Sequence, residues 1–171
     1  MAGSKLKPLL INKYNNPHCF SHINTNNLPV IYKVNPKSAW MTKEIFTDWL
    51  NNHFIAEASA LLEALGLEQK MVLFLDNASQ HCNINQMHPN LIIMYLPPNT
   101  TCFLQPMDQS INHSLKSIYL RHLMSEALIS FEKGISLKEF WKSVHIKKAI
   151  DLLSISWSEV KISTMQKAWK P

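Results

Sequence analysis

Two apolar runs, each leading to an aspartate, constrain this chain more than any other feature. Met71 to Leu75 is followed at once by Asp76-Asn77. Residues 91–96 run into Pro97-Pro98-Asn99-Thr100-Thr101 and then to Asp108. Short apolar runs bounded by turn-forming residues read as strands buried on both faces. A carboxylate just past the C-terminal end of such a strand stands where α/β sheets gather ligands and metals. Two of them brought to one rim by different elements suggest a divalent-metal site, because hard cations prefer carboxylate oxygen. Each also has a plainer reading, Asp76 as a turn former and Asp108 as an anion at the positive end of a helix.

The remaining pattern predicts a single α/β unit, sheet-forming to about residue 108 and helical over about 109–171. Residues 9–14 read as a strand that Asn15-Asn16-Pro17 breaks, and 28–34 as a short extended piece. Thr42 suits an N-cap and Gly66 a C-terminal stop. Between them Phe46, Trp49, Leu50, Phe54, Ala58, Leu61, Leu62 and Leu65 form one apolar stripe, which predicts a helix laid on the sheet. Trp49 and Phe54 are thereby core residues rather than platforms for bases. Asp108 falls in the first turn of a helical pattern ended by Gly134. Ser136-Leu137-Lys138-Glu139 is a capping box opening a helix that carries Leu137, Phe140, Trp141, Val144, Ala149 and Leu152, and 157–169 reads as a third helical stretch.

With 171 residues, 46% of them apolar, the chain can build one sizeable core. Three cysteines, Cys19, Cys82 and Cys102, are odd in number and lack C-x-x-C spacing, which argues against a disulfide framework or a zinc ribbon and for a reducing compartment. His18, His22, His88, His113, His122 and His145 show no ligand spacing. No run reaches the length of a membrane helix and no secretory apolar core is present, so a soluble intracellular protein is expected. Charge is unevenly placed. Residues 1–43 hold six lysines and no acid, 44–109 hold Lys70 against seven acids, and 110–171 hold ten basic and five acidic groups. Two basic flanks around an acidic middle suit phosphate backbones on the flanks and cations at the rim; a solvated lysine surface is the plainer alternative.

Leu75-Asp76-Asn77 with His81, Leu96-Pro97-Pro98-Asn99-Thr100-Thr101 and Leu104-Gln105-Pro106-Met107-Asp108-Gln109 together resemble the DDE domain of Tigger/pogo-type transposases, a group that includes jerky-like and centromere-protein-B-like proteins. Lys5 to Ile11, Asn16-Pro17, Leu28-Pro29-Val30, Ala39-Trp40-Met41-Thr42 and Trp157 to Lys161 follow in family order, so the resemblance spans essentially the whole chain. Ser79-Gln80 and Ser110 depart from the usual pattern.

The resemblance implies an RNase H-like α/β fold and Mg²⁺- or Mn²⁺-dependent DNA strand cleavage, in which two ions about 3.5–4 Å apart serve the attacking and leaving oxygens. It makes Asp76 and Asp108 the second and third of three catalytic, metal-binding carboxylates. Asn77, His81, Asn99, Thr100, Gln105 and Gln109 become supporting residues, and Lys5, Lys7, Lys13, Lys116 and Arg121 candidate nucleic-acid contacts. The first carboxylate of the triad lies upstream of the segment matching Lys5 to Ile11, and no Asp or Glu precedes Glu44. The expectation is therefore an incomplete fold, a small mixed sheet lacking the first strand and most of the second, with an apolar edge exposed at residues 71–75. The chain is expected to be a nuclear, sequence-tolerant DNA-binding protein with no small-molecule substrate or membrane partner, weak metal binding and no catalysis. A metal-dependent nuclease or transposase completed by another chain or a longer isoform, and a non-functional or protein-interaction remnant, are the alternatives.

Overall fold

The computed structural model describes residues 3–81 and 88–169, and Cys82 lies outside them. Four strands occur among these residues: β1 (Leu9–Asn12), β2 (Ile31–Val34), β3 (Met71–Leu75) and β4 (Leu91–Tyr95). They form two separate parallel pairs instead of the expected mixed sheet. β1 pairs with β2 from Leu9↔Ile31 to Asn12↔Val34, and β3 with β4 from Met71↔Leu91 to Leu75↔Tyr95. A parallel return needs a crossover of roughly a dozen residues or more. The connection 13–30, with 3₁₀ turns at His18–Phe20 and Thr25–Asn27, is long enough to bring β2 back beside β1. β1 stops at Asn12 rather than at residue 14, because the Asn12 side chain donates to the Tyr32 hydroxyl and accepts the Lys13 amide.

Thr42 caps α1 (Lys43–Trp49), its hydroxyl accepting the Ile45 amide at 3.3 Å. The helix runs through a π-helical turn at Leu50–Phe54 into α2 (Ile55–Ala64), and Gly66 at φ +64° closes it. A π turn inserts a residue and rotates the next stretch of helix about its axis. The expected stripe accordingly changes phase. Phe46 and Leu50 are buried against Met71, Leu75 and Leu91, with Trp49, Phe54, Ala58 and Leu62 packed on them, while Leu61 and Leu65 fall outside this cluster. Polar ties hold the other strand pair to the same helix: the Lys7 amide donates to Glu57 at 3.0 Å, and Lys33 pairs with Asp48.

From residue 101 the described chain is helical: α3 (Thr101–Leu104), a π-helical turn (Met107–Ile111), α4 (Asn112–Glu132), α5 (Leu137–Ser143), α6 (Ile146–Glu159) and α7 (Ile162–Lys167). The capping box forms. Ser136 Oγ accepts the Glu139 amide at 3.3 Å and the Glu139 carboxylate accepts the Ser136 amide at 3.0 Å. The Ser136 hydroxyl, donating to the same carboxylate, holds it below the ordinary range. The helix expected to carry Leu137 through Leu152 is in fact two. It breaks at Val144, and α6 starts on His145, whose ring accepts the Lys148 amide at 3.2 Å. Trp157 thus belongs to α6, and the third short helix is α7 alone.

Among the described residues, buried side chains gather in four small clusters rather than one sizeable core. α6 reaches three of them: Ile150 packs with Phe20, Leu28 and Val30; Leu152 with Leu123, Ala127 and Phe140; Trp157 on Ile111, Val160, Met165 and Ala168. On the outer face of β3–β4, Val72, Phe74, Ile92 and Met94 are exposed, with Trp169 meeting the Phe74 ring at 5.9 Å. No helix among the described residues is long and apolar enough to cross a membrane.

Candidate functional site

Asp76 leaves β3 directly, and its surroundings are built by the loops after β3 and β4. One carboxylate oxygen, Oδ1, accepts from His81 Nδ1 at 2.6 Å and from the Ala78 amide at 3.2 Å. An ionised carboxylate only accepts, so Nδ1 is the donor in this pair. His81 sits in a one-turn 3₁₀ segment, Ser79–His81, and its ring lies 4.5 Å from the buried Phe46 ring of α1. Tyr95, the last residue of β4, donates its hydroxyl to the His81 carbonyl at 2.6 Å. Asn77 Nδ2 donates to the Leu96 carbonyl at 2.6 Å, and the Leu96 amide to Leu75 at 2.7 Å. The two strand-end loops are therefore stitched together, with Asp76 and His81 half-buried between them.

The second acidic loop is shaped by its own backbone. Asn99 takes φ +62°, a left-handed conformation that asparagine tolerates better than most residues. Thr100 Oγ1 donates to the Pro97 carbonyl at 2.6 Å, and the Phe103 and Leu104 amides return to the Thr100 carbonyl. The Gln105 carbonyl accepts the Asp108 amide at 3.0 Å and the Gln109 amide at 3.3 Å. Gln105 Oε1 is buried without a hydrogen-bond partner among the described residues. Asp108 is exposed in the first turn of the π-helical segment, and Asn112 Nδ2 donates to it at 3.3 Å.

Asn77, His81, Thr100 and Gln105 thus each hold a loop that carries one of the two aspartates. Sequence reasoning missed Tyr95, Phe46 and Asn112. Tyr95 closes the run that ends β4 and so was open to discovery by position; Phe46 reaches His81 only through tertiary packing. The described residues show no three His, Cys, Asp or Glu side chains grouped to hold a metal ion. Two carboxylates suit a hard cation in kind, yet by themselves they are too few to cage one.

The basic candidates separate. Lys5 Nζ donates to the carbonyls of Trp157 (2.6 Å), Ser158 (2.9 Å) and Val160 (2.9 Å), closing the C-terminal end of α6, and burial pushes its pKa down. All three of its donors are spent inside the protein, which corrects its reading as a nucleic-acid contact. Lys7 lies beside Glu57, and Lys13 is exposed. Arg121 is ion-paired with Glu159, which His122 Nε2 also meets at 2.7 Å. Arg121 stands in a polar groove of about 340 Å³ with His113, Ser114, Ser117, Lys161 and Thr164, whereas Lys116 edges a separate apolar groove of about 430 Å³.

Comparison with known proteins gives the relatives. The chain is 31% identical to the human Tigger transposable element-derived protein 7, a match covering 97% of the chain and 32% of that protein. It is 27% identical to the mouse Jerky protein and 28% to the human Jerky protein homolog, in each case over 99% of the chain and 28% of the relative. The chain thus spans about a third of the length of these curated relatives, and no solved structure matches it. The DDE superfamily endonuclease family matches residues 1–169, and with both aspartates inside that span the chain belongs to the DDE superfamily endonucleases.

Proposed function

We propose that this chain is a transposase-derived DNA-binding unit that does not cleave strands by itself. The family implies an RNase H-like fold and the use of divalent metal ions. The observation that carries the reading is that Asp76 and Asp108 stand in separate hydrogen-bonded loops, with no third acid gathered to them among the described residues. Mg²⁺ or Mn²⁺ would take carboxylate oxygen from either aspartate and draw its other ligands from phosphates and water, a loose arrangement. A two-metal displacement depends on fixed metal spacing, so two carboxylates without the third do not set up the reaction.

DNA contact is best supported at the polar groove. Arg121 and Lys161 bring charge, and Ser114, Ser117 and Thr164 bring hydroxyl donors, the mixture that holds phosphate oxygens without reading sequence. Glu159 shares the groove, but Arg121 and His122 both bind its carboxylate. Binding of this kind is weak, tolerant of sequence and suited to a nuclear protein. Fluorescence titration of labelled duplex across salt should show affinity falling steeply, and Lys161→Glu should weaken binding and lower the salt slope by about one. Affinity indifferent to salt would refute the reading. Purified chain with Mn²⁺ should leave duplex intact; cleavage by the wild type that vanishes in Asp108→Ala would establish a nuclease completed by another ligand.

A further inference from the structure

We propose that the chain pairs with a second copy of itself through α4, antiparallel and about a two-fold axis at Met124. Every fourth residue of this 21-residue helix from Lys116 onward is exposed: Lys116, Leu120, Met124, Leu128 and Glu132. The row is basic at its start, apolar in the middle and acidic at its end. Leu120 is 53%, Met124 46% and Leu128 59% exposed, a large apolar investment for a surface helix.

Rows of residues four apart incline about 26° to a helix axis, and helices that pack by such rows cross at about 50°. At that crossing the row of one helix runs along the row of its neighbour. With Met124 on the axis, Leu120 faces the partner's Leu128 and Lys116 faces the partner's Glu132. Two-fold symmetry repeats both contacts, so one row satisfies itself. Phe131, exposed three residues after Leu128 and so next to it on the helix surface, adds apolar area toward the acidic end of the row. Leu120 also borders the apolar groove formed with Leu10, Tyr119 and Leu153, so the surface continues past the helix.

The charges decide for a second copy over an unrelated partner. Arg121, His122 and Glu126 of α4 are paired within the chain, with Glu159 and Lys148. Lys116 and Glu132 have no ion-pair partner among the described residues. The two unpaired charges on the helix are opposite in sign and equally far from Met124, which is what an antiparallel self-pairing requires.

Sedimentation velocity on the full chain over a concentration series tests the proposal. The wild type should show a concentration-dependent dimer, and Met124→Glu should be monomeric with unchanged circular dichroism. Lys116→Glu and Glu132→Lys, each meeting a like charge twice per dimer, should each weaken association about tenfold. The double variant Lys116→Glu/Glu132→Lys restores opposite charges and should return to within about twofold of wild type. This arm stands whether or not Met124→Glu folds. A chain monomeric at every concentration, a dimer indifferent to the single charge changes, or a double variant as weak as the singles would overturn the proposal.

Discussion

At the scale of the residue, Asp76 shows how a short motif becomes a place. The motif was legible in sequence as an acid at a strand end; its neighbours were not, because Phe46 and Tyr95 arrive from elements far along the chain. His81→Ala removes the donor to Asp76 Oδ1 and the ring packed on Phe46. Since charge-assisted hydrogen bonds are worth roughly 1.5–3 kcal/mol and this pair keeps some contact with solvent, the expected loss is about 1–2 kcal/mol of stability, read from thermal or urea unfolding. Hydrogen exchange at the amides of Ala78 and of position 81 should quicken in the same variant. Lys5 teaches the reverse lesson. A lysine in a basic flank looks like a phosphate contact until its three carbonyl partners, more than 150 residues away in sequence, are seen.

At the scale of the element, local signals were read well and irregular ones were not. β3 matched its apolar run, and Gly66, Gly134 and the Ser136–Glu139 box ended or opened helices where their chemistry directs. Apolar spacing alone did not reveal the π turn at Leu50–Phe54, since the residues on either side still read as helix. Nor did it reveal the break before α6, which His145 makes by accepting a backbone amide instead of continuing the helix. Ser136→Ala should cost about 1 kcal/mol, the usual loss of a good N-cap, seen as a lowered unfolding midpoint. Leu50→Ala, at a side chain with no exposure, should cost about 2–5 kcal/mol in the same measurement.

At the scale of the whole molecule, the surprise is the division of strands into two parallel pairs, which pairing partners decide and no single run announces. The Lys33–Asp48 ion pair joins β2 to α1 across that division. Hydrogen bonding from Lys33 holds the Asp48 carboxyl below its ordinary value of 3.8. A depressed carboxylate stabilises the fold above its unfolded pKa and loses that contribution as pH falls through the folded one, so the loss belongs below about pH 4. Thermal unfolding at pH 6 and pH 3 should show the wild type losing more than Asp48→Asn does. The reach of α6 into three of the four clusters, leaving out the one beneath β3–β4, has a consequence for how damage spreads. Truncating Ile150 should loosen the helical half and with it the polar groove, while truncating Leu50 should loosen the Asp76 loop first. Destabilising substitutions would then sort into two classes, those that disturb the polar groove and those that disturb the Asp76 loop, with few that do both.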